Sequence, residues 1–220
     1  MSQSIERVAD MTLGDFAEAL SSEQPTPGGG SAAALAAALA AALTSMVVRL
    51  SVDRPAYEQH AALHAEVLPA SDVARERFLG LADEDADSFS AYMQARRLPH
   101  ETQEEELVRA SATREAARKA TTVPLTVVQE CHRQVDLVER VAGRSNANVA
   151  SDLDVAALLL EGAAKGAAAN VTVNLQAVGD EGFADAVLAE VDQRLRQVQG
   201  ATARTHERVR KGGQRGPESA

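Results

Sequence analysis

The stretch that decides the fold is TPGGGSAAALAAALAAALTSMVV, residues 26–48. Three glycines, which leave the backbone most free, stand directly before a run of alanine and leucine, which favour helix. The pattern predicts a helix from about residue 29 to 50 with an open, glycine-lined N-terminus. The apolar run is slightly shorter than the ~20 residues that a membrane span needs, and it contains Thr44 and Ser45. We therefore expect a buried helix and no membrane contact.

The remainder of the chain carries apolar residues at helical spacing and no convincing strand pattern. Pro25 and Pro27 should end a short first helix, for which Thr12 is a plausible N-cap. Proline and glycine at positions 69, 80 and 124 should bend or interrupt the later helices. The predicted segments are 12–22, 56–79, 81–97, 101–121, 124–142, 152–178 and 181–210. The fold class is all-α: a multihelical antiparallel bundle with long Ala-rich central helices.

The chain of 220 residues has no internal repeat or linker that would separate two domains. We predict one helical domain over residues 1–211 and a disordered tail over 212–220. Small side chains let helix axes approach closely, so the Ala-rich helices should lie at the centre with neighbours on several sides. A second chain could supply one of those neighbours, giving a homodimer. Compositional bias towards alanine is the competing explanation.

Composition excludes several functional classes. A net charge of −10 argues against general nucleic-acid binding. The single cysteine, Cys131, excludes an internal disulfide and a cysteine-based zinc site, and we expect it to be packed in a helix. His60 and His64 are four residues apart, but the third ligand of a zinc site is missing, so no metal is predicted. The N-terminus lacks an apolar signal core, so we expect a cytoplasmic protein.

The glycines have a functional interpretation as well as a structural one. The first N–H groups of a helix lack intrahelical acceptors, and they carry partial positive charge. Gly28, Gly29 and Gly30 would let a ligand approach that backbone, and Ser31 adds a hydroxyl. This start suits an anion or a polar heterocycle, although a tight turn into a buried helix explains the glycines about as well. It is not a P-loop, because GxxxxGK[ST] is absent.

Four segments occur in an order that resembles a known family. They are MTLGDFAEALSSEQPTPGGGSAAALAAALAAAL (11–43), LADEDADSFSAYMQARRLP (81–99), ATTVPLTVV (120–128) and SNANVASDLDVAALLLEGAAKGAAANVTVNL (145–175). Together they resemble the cyclodeaminase/cyclohydrolase family, which comprises the C-terminal domain of formiminotransferase-cyclodeaminase and its stand-alone bacterial relatives. The resemblance spans roughly residues 10–195.

The resemblance implies an all-helical homodimer that acts on one-carbon-substituted tetrahydrofolate without a metal or redox cofactor. Cyclodeaminases close 5-formiminotetrahydrofolate to the 5,10-methenyl form and release ammonia, whereas cyclohydrolases hydrate the methenyl form to 10-formyltetrahydrofolate. The sequence does not choose between them. In relatives, lysine commonly occupies the places of His100 and Gly179, so an inactive folate-binding module stays open. A purely structural dimerisation bundle is the third alternative.

Both reactions need groups that carry protons to and from the one-carbon bridge. Asp83 and Asp85 match the acidic segment of the family, and Asp152 and, less directly, His100 are further candidates. Residues two apart on a helix point in different directions, so only one of the first two aspartates should line a site. The competing explanations are a solvated helix face for Asp83 and Asp85, and a capping role for Asp152.

Three asparagines are candidates for binding the pterin ring, whose amide edge needs both donors and acceptors. Asn170 and Asn174 lie on one face of an otherwise apolar helix, and Asn148 lies in the preceding loop. A structural hydrogen bond between helices is the alternative. Asp152 and Asn170 are separated by 18 positions, or ~27 Å of helix. They would serve opposite ends of a long ligand, or an antiparallel partner chain would bring them together.

Overall fold

A computed structural model describes residues 7–218, and within that range the chain is helical with no strand. Three short 3₁₀ helices, Val8–Asp10, Pro55–His60 and Ala147–Val149, lie between the longer elements. The α-helices are α1 (Leu13–Ser21), α2 (Gly29–Arg49), α3 (Ala61–Arg96), α4 (Gln103–Val141), α5 (Ala150–Leu175) and α6 (Glu181–Lys211). The predicted all-α fold is confirmed.

Helices α2, α3, α4 and α5 form an up-and-down four-helix bundle in which each helix packs against the next and α5 closes on α2. Helix α6 packs outside, against α4 and α5. Alanine dominates the inner faces of α2 and α5, as predicted for central helices, and the side chains that are fully buried there include Ala34, Ala37, Ala40, Ala41, Ala156, Ala157, Ala164 and Ala167. The small side chains allow close approach of the helix axes.

Helix α2 is the one helix in residues 7–218 that is long and apolar enough to cross a bilayer, judged by length and composition alone. Of its most apolar window, 61% is buried inside the protein. Burial of this kind is typical of the core helix of a bundle.

Side-chain caps explain where three of the helices begin. Thr12 accepts a hydrogen bond from the N–H of Asp15 at the start of α1, as the sequence indicated. Thr102 and Glu105 form a complete capping box at the start of α4, and Asp180 caps α6 through the N–H of Phe183. Each of these side chains satisfies an N–H group that the helix itself leaves unpaired.

The predicted breaks at Gly80 and Pro124 are wrong, because α3 and α4 are each continuous. A proline inside a helix removes one N–H donor and costs about 3 kcal/mol. At Pro124 the carbonyl that loses its donor belongs to Ala120, four residues earlier, and the Nδ2 of Asn174 donates to that oxygen at 2.6 Å. Pro124 is itself buried. Tertiary packing and one side-chain hydrogen bond therefore replace what the helix lacks.

Residues 212–218, named the C-terminal strap here, contain no helix but fold back over the end of α4. The N–H of Arg215 donates to the carbonyl of Gly143 at 2.7 Å, and Glu218 pairs with Arg140 and Arg144. Glycine and polar residues dominate this segment, and the disorder that the sequence predicts for 212–220 stays a prediction. Residues 1–6 and 219–220 lie outside the described residues, so the boundaries predicted there stay predictions.

Candidate active site

The glycine-lined start of α2 lies against the acidic segment of α3. A Cβ atom added to Gly30 would lie 2.1 Å from Oδ1 of Asp85, so only glycine leaves room for this carboxylate. The hydroxyl of Ser31 lies 3.1 Å from Oδ2 of Asp85 and 2.9 Å from the carbonyl of Ala82, and its single proton is shared between these two acceptors. The GGGS segment and the acidic segment, which the sequence predicted separately as parts of a site, are therefore in contact. The anionic group at the N-terminus of α2 is the side chain of Asp85.

Asp85 has the electrostatic properties of a proton carrier. Burial raises its pKa above the usual aspartate value, although hydrogen bonds from the hydroxyl and the backbone N–H of Ser31 act in the opposite direction. A raised pKa brings a carboxyl group closer to the range in which it both accepts and releases a proton near neutral pH.

Asp83 has a different role from Asp85, two residues away. Its Oδ1 accepts the N–H of Val8 at 2.6 Å and its Oδ2 accepts Nε of Arg7 at 3.2 Å. Asp83 therefore holds the N-terminal segment against α3. The expectation that only one of the two aspartates lines a site stays a prediction.

Asn170 lies at the same end of the bundle as Gly30. Helices α2 and α5 are antiparallel: Asn146, just before α5, bonds to Ser51 at the end of α2, whereas a Cβ on Gly166, further along α5, would lie 3.6 Å from Cβ of Ala33 near the start of α2. Asn170 lies four residues after Gly166, and Gly29 lies four residues before Ala33. In an antiparallel pair these two positions are at the same height along the bundle axis. Asn170 is half-buried, and its Nδ2 donates to the carbonyl of Gly166 in its own helix at 3.1 Å. Asn174, by contrast, is committed to the carbonyl of Ala120.

Asp152 and Asn148 lie at the opposite end, where α2 finishes and α5 begins. Asn148 is exposed, and its N–H donates to the side chain of Asn146. Asp152 lies half-buried in the first turn of α5. The separation of about 27 Å that helix geometry gives for Asp152 and Asn170 holds, because α5 is continuous. Within one chain these two residues do not share a site.

Sequence reasoning missed Asn146. It is buried, and it ties the start of α5 to the end of α2: its N–H donates to Oγ of Ser51 at 2.8 Å and its Nδ2 donates to the carbonyl of Leu50 at 3.2 Å. The asparagine-rich loop is the available signal, but the sequence does not show which of its amides faces inward, and the prediction named Asn148.

A cleft of about 610 Å³ also lies at this far end of α2. Arg54, Tyr57 and His64 are among the residues that line it. Nε2 of His64 lies 2.8 Å from the carbonyl of Arg144, so this nitrogen carries the proton and donates it. The cleft has the size of a small-molecule site but is separated from Asp85 by the whole length of α2. The hydrogen-bonded carboxylate indicates chemistry more directly than cleft size does.

Two other residues from the sequence analysis are placed by the structure. Cys131 is fully buried, and burial raises the pKa of its thiol, which is the environment of a packed cysteine. His60 and His64 are buried with ring centroids 6.3 Å apart. Within residues 7–218, no group of three or more histidine, cysteine, aspartate or glutamate side chains is placed to hold a metal ion.

Comparison with known proteins identifies the family. A methenyltetrahydrofolate cyclohydrolase from Methylorubrum extorquens is 38% identical over 199 residues, which cover 90% of this chain and 96% of that one. A formimidoyltransferase-cyclodeaminase from Gallus gallus is 34% identical over 171 residues; the match covers 78% of this chain but only 32% of the chicken protein. The chain thus spans about a third of that longer relative.

The crystal structure of a formiminotetrahydrofolate cyclodeaminase from Thermotoga maritima has the same fold. It superposes with a TM-score of 0.82 at 26% identity, covering 91% of this chain and 96% of that one. The sequence model for formiminotransferase-cyclodeaminase matches residues 12–193, which include Gly30, Asp85 and Asn170. The chain belongs to the formiminotransferase-cyclodeaminase family.

Proposed function

We propose that this protein is a one-carbon folate enzyme, and specifically a methenyltetrahydrofolate cyclohydrolase. The observation that carries the proposal is the half-buried Asp85 carboxyl group, held against Gly30 and Ser31 at the N-terminus of α2. The cyclohydrolase from Methylorubrum extorquens supports this choice, because the two chains match over nearly their whole lengths.

The reaction assigns two steps to Asp85. Water adds to the carbon between N5 and N10, and the ionised carboxylate takes the proton that the water loses. The bond from that carbon to N5 then breaks as the protonated carboxyl group gives a proton to N5, and the hydroxyl group on the carbon loses its proton to become the formyl carbonyl. The product is 10-formyltetrahydrofolate, and one proton is released overall. These steps are proton transfers and a C–N cleavage, so the proposal requires no metal or redox cofactor.

The neighbours of Asp85 have supporting roles in this proposal. Ser31 orients the carboxyl group through its hydroxyl, while Gly28, Gly29 and Gly30 keep side chains away from the path of the ligand. Asn170, at the same level, offers its amide oxygen to the N–H groups of the pterin. In this proposal Asn174 has a structural role instead, because its amide nitrogen donates across to α4, to the carbonyl of Ala120 that Pro124 leaves without a donor.

Cyclodeamination is the second candidate, and the Thermotoga maritima structure favours it. In that reaction N10 attacks the formimino carbon, and the leaving nitrogen takes up protons and departs as ammonia. Asp85 could carry the proton from N10 to the departing nitrogen, so the same residue serves both reactions.

The first experiment follows the near-ultraviolet absorbance of 5,10-methenyltetrahydrofolate after protein is added. Loss faster than spontaneous hydrolysis supports a cyclohydrolase. If there is no acceleration, ammonia release from 5-formiminotetrahydrofolate tests the second candidate. Failure of both assays would favour a folate-binding module, which equilibrium binding of the methenyl substrate would then separate from a purely structural bundle.

We also propose a homodimer, formed through an apolar face on α2 and α5. Large apolar side chains are exposed there: Leu39 and Leu158 are 59% and 55% exposed, and the antiparallel register places them at the same level. Met46 and Val155 continue the stripe towards one end, and Val173 lies towards the other. A contiguous apolar face of this kind is the usual sign of a protein interface.

The protein is expected to work in the cytoplasm.

A two-fold axis perpendicular to α2 would place the Asp85 end of one subunit beside the Asp152 end of the other. Each composite site would then draw on both chains, as the distance between Asp152 and Asn170 first suggested. Co-expressed Asp85→Asn and Asp152→Asn chains test this arrangement. If both variants alone are inactive, random pairing should restore about a quarter of wild-type activity, since half of the dimers carry one intact site. No recovery would contradict a site that draws on Asp85 of one chain and Asp152 of the other.

A further inference from the structure

A second, strongly charged cleft lies where α4 and α6 end together. These helices run parallel, since Gln129 bonds to Glu190 and, further on, Glu139 bonds to Arg204. The C-terminal strap then folds back across the end of α4. Between the last turns of α6 and the strap lies a cleft of about 300 Å³ whose lining is entirely charged: Glu139, Arg204, Glu207, Arg208, Lys211 and Arg215.

Two of the four cations in this cleft are already neutralised. Arg204 forms a bidentate pair with Glu139 at 2.6 and 2.8 Å, and Lys211 pairs with Glu207 at 2.6 Å. Both carboxylates of the cleft are therefore occupied.

The other two cations, Arg208 and Arg215, have no carboxylate partner within residues 7–218. Arg215 donates to the carbonyls of Glu139 and Ala142. The guanidinium of Arg208 makes no hydrogen bond or ion pair with any described residue. The carbonyls of Arg208 and Val209, near the end of α6, accept a hydrogen bond from the N–H of Gly212. They therefore do not need the guanidinium of Arg208 as a donor.

The aliphatic parts of Arg208 and Arg215 both pass close to Gly143, and both residues line the same cleft. A Cβ on Gly143 would lie 3.2 Å from Cδ of Arg208 and 3.1 Å from Cγ of Arg215. The φ of +77° at Gly143 also favours glycine. Burial lowers the pKa of the neighbouring Arg144; the positive charges of Arg215 and Arg208 add to that effect, and the negative charge of Glu218 opposes it. The cleft is lined by four cations and two carboxylates, so positive charge is in excess here in a chain whose net charge is −10.

We propose that this cleft binds a small oxyanion with two or more negative charges, carried on phosphate or carboxylate groups, through Arg208 and Arg215. Guanidinium groups bind both kinds of oxyanion in a bidentate manner, and a bound anion would relieve the repulsion between them. It would also fasten the strap to α6. Both arginines lie outside the family match of residues 12–193, so the site is separate from the proposed folate chemistry.

Isothermal titration calorimetry of the full chain with pyrophosphate and with citrate, at constant ionic strength, tests the proposal. Arg208→Gln removes one of the two guanidinium groups that are proposed to bind the anion. Arg210→Gln is the matched control, because Arg210 is exposed and does not line the cleft. We expect saturable binding to the wild type and to R210Q, and binding weaker by about tenfold or more in R208Q, the loss typical of one charge-assisted interaction.

Three results would overturn the proposal: no saturable binding of either anion, equal weakening in R208Q and R210Q, or unchanged binding in R208Q. Circular dichroism checks that each variant is folded. If R208Q is not folded, Arg208→Lys keeps the charge but removes the bidentate geometry, and it should still weaken binding while R210K does not. Preference for pyrophosphate would identify a phosphate site, and preference for citrate a polycarboxylate site.

Discussion

The two ends of α2 show how one helix supports two different environments. At its N-terminus, glycine leaves room for Asp85, and the site there contains a half-buried carboxyl group with a raised pKa. At its C-terminus, Ser51 and Asn146 close the connection to α5 with hydrogen bonds that satisfy the backbone. The N-terminal end thus contains a carboxyl group, Asp85, whose charged form is disfavoured by burial. The polar groups of Ser51 and Asn146 at the C-terminal end are neutral and hydrogen-bonded. Such a difference is typical of a reactive site beside a structural one.

Asp85→Asn should have the largest effect. The proposed activity should fall by about 10²- to 10⁴-fold, the usual contribution of a positioned acid–base group. Stability should rise or stay level. Because burial raises the pKa of Asp85, its ionisation makes the folded state less stable as pH increases from about 3.8 through the raised value. Asparagine removes that cost at neutral pH while still accepting the hydrogen bond of Ser31. Activity assays and thermal unfolding at pH 7 measure both effects.

Asp83→Asn is the matched control for that substitution. It weakens the attachment of Arg7 and Val8, so it should lower the melting temperature modestly and leave activity within a few-fold of wild type. Equal loss of activity in the two variants would contradict the separate roles assigned to them.

Gly30→Ala should have the next largest effect. Its Cβ would overlap Oδ1 of Asp85, so the carboxyl group or the helix must move. A displacement of about 1 Å at a reacting group can cost 10²-fold in rate. Gly80→Ala, in α3, is the control, because nothing lies within 4 Å of its added Cβ. Steady-state rates should fall for G30A and stay near wild type for G80A; similar rates for both would remove Gly30 from the site.

Asn174→Ala tests a purely structural contact at the same end of the bundle. It leaves the carbonyl of Ala120 without a donor, which should cost about 1–3 kcal/mol of unfolding free energy. In a Pro124→Ala background the restored N–H serves that carbonyl, so the same substitution should cost much less. Urea unfolding of the four proteins in this double-mutant cycle gives the coupling energy. A coupling near zero would show that Asn174 does not replace the missing donor.

These contacts show what the sequence could predict. Helix type followed from periodicity and composition, and the start of α2 followed from Gly28–Gly30, because these signals are local. The continuity of α4 did not follow, since the donor that compensates Pro124 comes from Asn174, 50 positions later. Local rules assign a penalty to proline but contain no information about a distant amide.

The site was predictable in its parts and not in its assembly. GGGS and the acidic segment were each recognisable, yet only the fold shows that Gly30 touches Asp85 and that Asp83 binds the N-terminal segment. The same limit separates Asn146 from Asn148: the two amides are alike in sequence, and burial alone decides which one ties α5 to α2. Selection among similar residues depends on tertiary contacts, which a single sequence does not show.

The smallest expected effect concerns the far end of α2, where His60 is buried beside His64 and Arg144. Burial lowers the pKa of His60, and the charges of His64 and Arg144 lower it further. As pH falls through about 6.5, His60 of the unfolded chain binds a proton, whereas His60 of the folded protein stays neutral. The contribution of His60 to the free energy of unfolding is therefore fully present above that pH. It falls as pH decreases towards the lowered pKa, by at most about 1.4 kcal/mol per pH unit. His60→Gln should flatten this acid limb of the unfolding free energy. His100→Gln, at an exposed position, should leave the limb unchanged, and an equally steep limb in both variants would assign the acid sensitivity to another group.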